Sequence, residues 1–235
     1  MKHEPDVRPA PRARVARNTV SEDLVVDAAL RLLDDQDFEQ ISMRALAAEL
    51  GVGTMTVYTY FRSKDELLQA VRNRVLGGFH PPAATGSWHE RVAACCLALY
   101  EWLVERPAVL RVLFACPPTE GDFAATATTA LELILFELRR AGLDRLDSAR
   151  GYVTLLQYTF GAALRQLYAN DAVEKAGSVR ARLDALSPES HPTIVDLAPE
   201  LARTHENSTE QYVFGLDLIV TGLRVKAAGL SGEIE

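Results

Sequence analysis

The chain has 235 residues, 48% of them hydrophobic and 24% charged, and its formal net charge at pH 7 is −7. This composition predicts a globular chain of one large or two small domains, and its acidity excludes a general polyanion binder. No apolar run reaches the roughly 18 residues of a membrane span, and the charged N-terminus lacks a signal-peptide core, so we expect a cytoplasmic protein.

Candidate catalytic and metal-binding groups are scattered along the chain. Cys95, Cys96 and Cys116 lack metal-ligand spacing. The same holds for the histidines, which are His3, His80, His89, His191 and His205. Cys95 and Cys96 lie in an apolar helical run, which favours burial over a redox switch. No Ser/His/Asp arrangement, pair of acids or nucleotide-binding loop occurs, so the sequence predicts no enzyme, no metal and no cofactor.

The N-terminal end of the chain is basic although the whole chain is acidic. Residues 1–20 carry five basic and two acidic side chains, a net charge of +3, and several prolines that predict a flexible arm. Residues 40–74 carry five basic and three acidic side chains, a net charge of +2. The positive charge is therefore concentrated at one end, as expected for a protein that binds a polyanion with that end alone.

Residues 21–63 carry the signals of three short helices. Ser21 is a candidate N-cap for a first helix with an apolar stripe at helical spacing, formed by Val25, Ala28, Ala29, Leu32 and Leu33. Ser42 is a candidate N-cap for a helix of about two turns, which Gly51 and Gly53 end. A second short helix over 54–60 is predicted to bury Val57 and Phe61. Its outward side chains are predicted to be Thr54, Met55, Thr56, Tyr58 and Tyr60. Two short helices across a tight turn form a helix-turn-helix, whose second helix can enter a DNA major groove.

The rest of the chain is predicted to be helical, so the fold class is all-α. Ser63 and Glu66 fit a capping box that begins the next helix. The predicted helices cover residues 64–79, 89–105, 108–114, 122–141, 148–170 and 209–228. Residues 171–208 are less regular, and we expect a short helix with a mobile loop there.

The helix-turn-helix segment resembles the tetracycline-repressor (TetR) family of bacterial transcription regulators. The matching residues are Leu46, Ala47, Gly51, Val52, Thr56, Val57, Tyr58, Tyr60, Phe61, Ser63, Lys64 and Leu67. The strings PPTEGDF at 117–123 and FGLDLIVTGL at 214–223 also resemble the tetracycline-repressor subfamily, so the resemblance covers roughly residues 20–230. After the arm at 1–20, it implies a DNA-binding domain at 21–63 and a helical effector-binding and dimerisation domain at 64–230.

The resemblance implies a ligand-responsive regulator, in most family members a repressor that a small organic effector releases from a palindromic DNA operator. It places the operator contacts on Arg44, Thr54, Met55, Thr56, Tyr58, Tyr60 and Lys64. Arginine can bind guanine with two hydrogen bonds, and methionine can contact a thymine methyl group. The arm at 1–20 is either a tail without a role or a segment that adds phosphate or minor-groove contacts.

The subfamily's metal site is missing from this chain. Leu113, Cys116 and Arg165 stand where the tetracycline repressor places residues near its magnesium, and none of them suits that ion. We therefore expect an organic effector that binds without a metal. Candidate effector contacts, each with core packing as the alternative, are Tyr100, Trp102, Arg111, Phe114, Cys116, Tyr152, Gln157, Phe160 and Arg165. For Arg165, pairing with a carboxylate across a dimer is favoured over binding of an anionic ligand.

The resemblance also implies a homodimer, in which the helices predicted at 148–170 and 209–228 pair with their copies in a four-helix bundle. Gly215 and Gly222 are seven residues apart on one side of the last helix, where a partner helix could approach closely. The predicted interface residues are Tyr152, Leu156, Gly215, Leu216, Ile219, Gly222 and Leu223. The alternatives are that these faces pack within one subunit, and that the chain is an all-helical small-molecule binding protein with vestigial DNA-binding heads.

Overall fold

A computed structural model describes residues 20–35, 41–115, 128–169, 172–206 and 208–229. The predicted arm, Cys116 and the 117–123 string lie outside these residues, apart from Val20. All regular elements in the described ranges are helices, which confirms the all-α prediction. They are α1 (Glu22–Asp35), α2 (Met43–Glu49), α3 (Thr54–Tyr60), α4 (Lys64–Leu76), α5 (Trp88–Val104), α6 (Pro107–Ala115), α7 (Thr128–Arg140), α8 (Arg145–Ala169), α9 (Ala172–Asp184), α10 (Pro192–Asp196), α11 (Ala198–Glu206) and α12 (Ser208–Ala227). No described helix is long and apolar enough to cross a membrane.

The described residues form two compact units, which we call the N-terminal unit and the helical unit. The N-terminal unit contains the residues up to Val75 together with 111–115, and the helical unit contains Leu76–Leu110 and the residues from Thr128 onward. In the N-terminal unit the predicted apolar stripe of α1 is buried, as expected. Ser21, Ser42 and Ser63 cap α1, α2 and α4 through side-chain oxygens that accept backbone N–H groups at 3.1–3.2 Å. These local signals explain why this unit follows the sequence prediction closely.

In the helical unit α5 packs against α7, α8 and α12. Cys95 and Cys96 are buried in this core, as predicted, and burial raises the pKa of Cys95 to about 11 and that of Cys96 to about 12. Arg91 on α5 donates two hydrogen bonds of 2.8 and 2.5 Å to the buried carboxylate of Glu137 on α7. This contact lowers the pKa of Glu137 and fixes α7 against α5.

The helices of the second half depart from the predicted bounds. Residues 172–206 form α9, α10 and α11, not a short helix with a mobile loop. The helix α11 packs on α9 and buries Ala198 and Ala202, whose small side chains gave little hydrophobic signal. The helix α8 begins at Arg145 because the Asp144 carboxylate accepts the backbone N–H of Asp147 at 2.7 Å. The helix α4 ends at Leu76, earlier than predicted, where Gly77 and Gly78 follow.

Gly215 does not mark the close approach of a partner helix, because the ring of Tyr158 from the same chain lies over it. A Cβ at Gly215 would meet the Tyr158 hydroxyl and ring, closer than packed atoms allow. The tight helix contact is instead at Gly151 on α8, where a Cβ would lie 2.9 Å from a methyl of Leu223 on α12. A Cβ at Gly222 would meet no other described atom within 4 Å. Close glycine contacts therefore join α8 and α12 within one chain.

We predict opposite effects for alanine at two helical glycines. Gly215→Ala should lower the free energy of unfolding by about 1–3 kcal/mol, because the new methyl overpacks against Tyr158. Gly177→Ala is the control: this glycine is exposed in α9 with open space around it, so alanine should raise stability by about 0.5–1 kcal/mol. Urea unfolding followed by circular dichroism measures both. Equal effects of the two substitutions would contradict the packing of Tyr158 on Gly215.

Candidate nucleic-acid interface and ligand groove

The position of α3 is fixed by a tight turn and two buried side chains. Gly51 has φ +66°, a left-handed conformation that favours glycine, and it lets the chain reverse directly after α2. The backbone N–H of Val52 donates to the carbonyl of Ala47 at 2.9 Å, which closes the turn. Val57 and Phe61 are then buried against the N-terminal unit's core. The predicted helix-turn-helix is therefore present, with α2 and α3 as its two helices.

One face of α3 is exposed. Met55 is 78% exposed and Tyr58 is 42% exposed, with Thr54 partly exposed beside them. Thr59 also lies on this face, and its hydroxyl donates to the Met55 carbonyl at 3.0 Å. The sequence analysis missed Thr59, although its spacing of four residues from Met55 places both on one helix face. Met55 and Tyr58 are three residues apart, so together they form one exposed apolar patch on this face, flanked by hydroxyl groups.

Tyr60 does not point outward as expected. Its side chain is half-buried, and its hydroxyl donates to the backbone carbonyl of Val20 at 2.6 Å. This bond holds the end of α3 against the residue that precedes α1 and its cap. Thr56 is also partly buried. Tyr60 therefore anchors α3 within its own unit.

The charges of the N-terminal unit are partly neutralised by internal ion pairs. Arg74 on α4 pairs with Asp23 and Asp27 on α1. Arg44 is exposed on α2, and Lys64 is partly exposed at the start of α4. Arg74 is therefore occupied within the unit, whereas Arg44 presents an exposed side chain.

The structure does not bring the predicted effector residues together. Gln157 and Arg165 line a groove of about 560 Å³ in the helical unit. Tyr100 is buried in the core, Trp102 lies against Phe79 and Arg106, and Tyr152 and Phe160 are partly buried. Arg111 and Phe114 belong to the N-terminal unit, and Cys116 lies outside the described residues. The lining residues are Gln157, Tyr158, Gly161, Ala162, Arg165, Leu201, Thr204, Gln211 and Tyr212.

A stack of tyrosine rings forms one wall of this groove. The Tyr212 ring is parallel to Tyr100 at 4.1 Å between centroids and to Tyr158 at 5.3 Å. The Tyr212 hydroxyl donates to the Cys96 carbonyl at 2.9 Å and lies 2.9 Å from the hydroxyl of Thr159. Of these three tyrosines the sequence indicated only Tyr100 as a candidate effector contact, and the stack could not be predicted because its members come from three separate helices.

The predicted dimer face of α12 is mostly turned into its own subunit. Leu216 and Leu223 are buried, and Gly215 lies beneath Tyr158. Tyr152, Leu156 and Ile219 are partly buried, and Gly222 is exposed. For Leu216, Leu223 and Gly215 the alternative of packing within one subunit is therefore correct. The exposed large apolar side chains of α8 and α12 are Leu146, Val153, Val213, Phe214, Leu218 and Val225.

A helix-turn-helix with an exposed second helix, followed by an all-helical unit, defines the class of helix-turn-helix transcription regulators. The chain belongs to the tetR family of bacterial regulatory proteins. That family's sequence profile matches residues 25–71, and the profile of the tetracyclin repressor-like C-terminal domain matches residues 80–227. The family membership inferred from the sequence is thereby confirmed.

Relatives and solved structures agree with this assignment. The HTH-type transcriptional repressor DrrR1 of Streptomyces coeruleorubidus is 31% identical over 235 residues, which cover 94% of this chain and 83% of the relative. Apo ActR from Streptomyces coelicolor has a TM-score of 0.76 at 28% identity, covering 91% of this chain and 99% of ActR. ActR in complex with actinorhodin has a TM-score of 0.79 at 27% identity, with the same coverage of 91% and 99%.

The two tyrosines of α3 should respond differently to loss of their hydroxyls. Tyr60→Phe removes the bond to Val20 and should lower the free energy of unfolding by about 1 kcal/mol. Tyr58→Phe is the matched control, because Tyr58 is exposed, and it should leave stability unchanged within about 0.5 kcal/mol. Chemical unfolding of the full chain gives both values. If the free energy of unfolding of Tyr60→Phe equals that of the unaltered chain, the Tyr60 hydroxyl does not anchor α3.

Proposed function

We propose that this chain is a dimeric repressor that binds a palindromic operator through α3 and releases it when a small organic effector occupies the helical unit. The observation that carries the proposal is the exposed face of α3, held outward by buried Val57 and Phe61. The relative DrrR1 is named a transcriptional repressor, and ActR has a solved complex with actinorhodin. An all-helical binding protein with vestigial heads has no support, since the residues that position α3 are intact.

The chemistry of α3 determines how it would read DNA. Its sequence, TMTVYTY, contains no charged side chain and no amide. The bidentate base contacts of Arg, Asn and Gln are therefore not available from α3, whereas Met55 can contact the methyl group of thymine. Arg44, exposed on α2, is the candidate for a bidentate contact with guanine. Tyr58, Thr56 and Lys64 remain candidates for phosphate contacts, which fix position and carry no sequence information.

The exposed apolar side chains of α8 and α12 support a dimer. Both helices pack on α5, and the interface stripe consists of Leu146 and Val153 on α8 with Phe214, Leu218 and Val225 on α12. On α12 these residues recur at spacings of four and seven, which places them on one side of the helix. Exposed apolar residues in such an array mark an interaction surface. A second copy of the same stripe would cover it in an isologous contact.

The effector and operator equilibria would be coupled, since each ligand must favour a different state of the protein. Leu113 and Arg165, at positions where the tetracycline repressor keeps residues near its metal, favour an organic effector without magnesium. Leucine has no donor atom, and arginine repels a cation.

Thymine methyl groups should contribute to operator affinity through Met55. Once an operator has been selected with the full chain, each thymine of a half-site is replaced in turn by deoxyuridine, which lacks the methyl. We expect at least one replacement to weaken binding about fourfold, because burial of a methyl-sized group contributes about 0.8 kcal/mol. Met55→Ala should remove this sensitivity. Arg44→Ala should retain it and instead lose about 1–3 kcal/mol of preference at one guanine. Equal affinity for all deoxyuridine-substituted operators would exclude methyl reading by Met55.

A charge in the interface stripe should prevent dimerisation. Leu218→Asp places a carboxylate in the centre of the stripe, where it would be buried without a partner, and we expect monomers that lose operator binding. Val213→Asp is the control, because Val213 is exposed on α12 outside the stripe and should tolerate the charge. Light scattering gives the mass of each variant. If the Leu218→Asp protein remains dimeric, the stripe is not part of the dimer interface.

A further inference from the structure

The hydrogen bond at the end of α3 fixes the point where the arm at 1–20 meets the N-terminal unit. Val20, the last residue of the arm, is buried, and its carbonyl accepts the Tyr60 hydroxyl at 2.6 Å. Ser21 then caps α1. Tyr60 is the last residue of α3 and follows Met55 by five residues, which is about 7.5 Å along the helix axis. The arm therefore joins the unit close to the exposed face of α3.

The part of the arm nearest to the unit is strongly basic. Residues 7–19 contain four arginines and no acidic side chain, a net charge of +4, although the whole chain has a net charge of −7. The two acidic side chains of the arm, Glu4 and Asp6, precede this stretch. The arginines are Arg8, Arg12, Arg14 and Arg17. Such a local excess of positive charge is attracted to the phosphates and grooves of DNA.

The residue types of the arm match the minor groove better than the major groove. Pro9 and Pro11 disfavour a helix through residues 8–11 and favour an extended chain. The minor groove of B-DNA is about 6 Å wide, half the width of the major groove that admits a helix. Where A·T pairs narrow it further, its negative potential is enhanced and attracts arginine in particular. An extended arginine-rich chain is suited to this groove.

The arm is also long enough to reach that groove. With α3 in the major groove, the adjacent minor groove is about half of a helical turn of roughly 34 Å away. An extended chain spans at most about 3.5 Å per residue, which gives Arg14 a reach of about 21 Å from Val20 and Arg12 a reach of about 28 Å. Arg17 is limited to about 10 Å, a distance that suits the phosphates between the two grooves.

We propose that residues 8–17 of each subunit lie in the minor groove next to the major-groove site of α3, with Arg12 and Arg14 inserted where A·T pairs narrow it. This inference rests on the proposed function, because it requires α3 in the adjacent major groove. It gives the protein a second reading surface, which distinguishes A·T from G·C pairs beside each half-site. Short basic arms of other helix-turn-helix proteins reach the minor groove from a helix in the major groove in the same way.

A base analogue that changes the minor groove alone tests the proposal. The probe is an operator selected with the full chain, with A·T pairs placed on both sides of each half-site. In these pairs 2,6-diaminopurine replaces adenine, which adds the minor-groove amino group of guanine and keeps adenine's major-groove groups. Fluorescence anisotropy should show binding to the modified operator weakened at least about fivefold.

A double variant of the full chain assigns this sensitivity to the arm. Arg12→Gln/Arg14→Gln should bind the unmodified operator at least about tenfold more weakly and bind both operators within about twofold of each other. The matched control is Arg182→Gln/Arg203→Gln, which removes the same charge from exposed positions of α9 and α11. It should retain the fivefold difference.

Two results would overturn the proposal. The first is equal affinity of the unaltered chain for the two operators, which needs no variant. The second is an arm variant that keeps the fivefold difference. If the arm variant instead binds all DNA more weakly while the unaltered chain does not discriminate, the arginines contact phosphates and the minor-groove placement is wrong. In each case the operator is still bound and the proposed function stands, whereas a chain that selects no operator overturns both.

Discussion

The helical unit depends on Tyr212, which joins three helices at one point. Its ring lies between Tyr100 on α5 and Tyr158 on α8, and its hydroxyl donates to the Cys96 carbonyl on α5. Burial raises the pKa of this hydroxyl, so it stays protonated and continues to donate. This contact sets the rotation of α12 about its own axis. Leu216 and Leu223 face the core as a consequence.

The rotation of α12 about its axis positions both the proposed dimer surface and the edge of the groove. With Tyr212 inward, the opposite side of α12 carries Phe214 and Leu218 outward, where a second copy could cover them. The same stack holds Tyr158 at the edge of the groove, and Gly215 is needed to make room for its ring. The N-terminal unit also orients a helix by burying a side chain from one of its faces. Burial of Val57 fixes α3 so that Met55 points outward.

The sequence was sufficient to predict features that depend on neighbouring residues. It was not sufficient where contacts between distant residues determine the position of a side chain. The caps at Ser21 and Ser42 and the turn at Gly51 are local, so spacing and residue type are sufficient. Leu216 and Leu223 were assigned to the dimer face but are buried within the subunit. The helix α12 is apolar on two sides, and periodicity does not tell which side meets the core. The anchoring of Tyr60 could not be predicted either, since its acceptor is the carbonyl of Val20, 40 residues away. One short helix was expected at 171–208, where the structure has three, since the buried Ala198 and Ala202 of α11 give little hydrophobic signal.

We propose that two copies of α3, each held outward by a buried anchor, read an inverted repeat. Selection of double-stranded fragments from a random DNA library with the purified full chain, followed by sequencing, tests it most directly. We expect enrichment of one inverted repeat, with thymines in each half-site where Met55 contacts the major groove. Enrichment of a single asymmetric site, or no enrichment above the starting library, would contradict it.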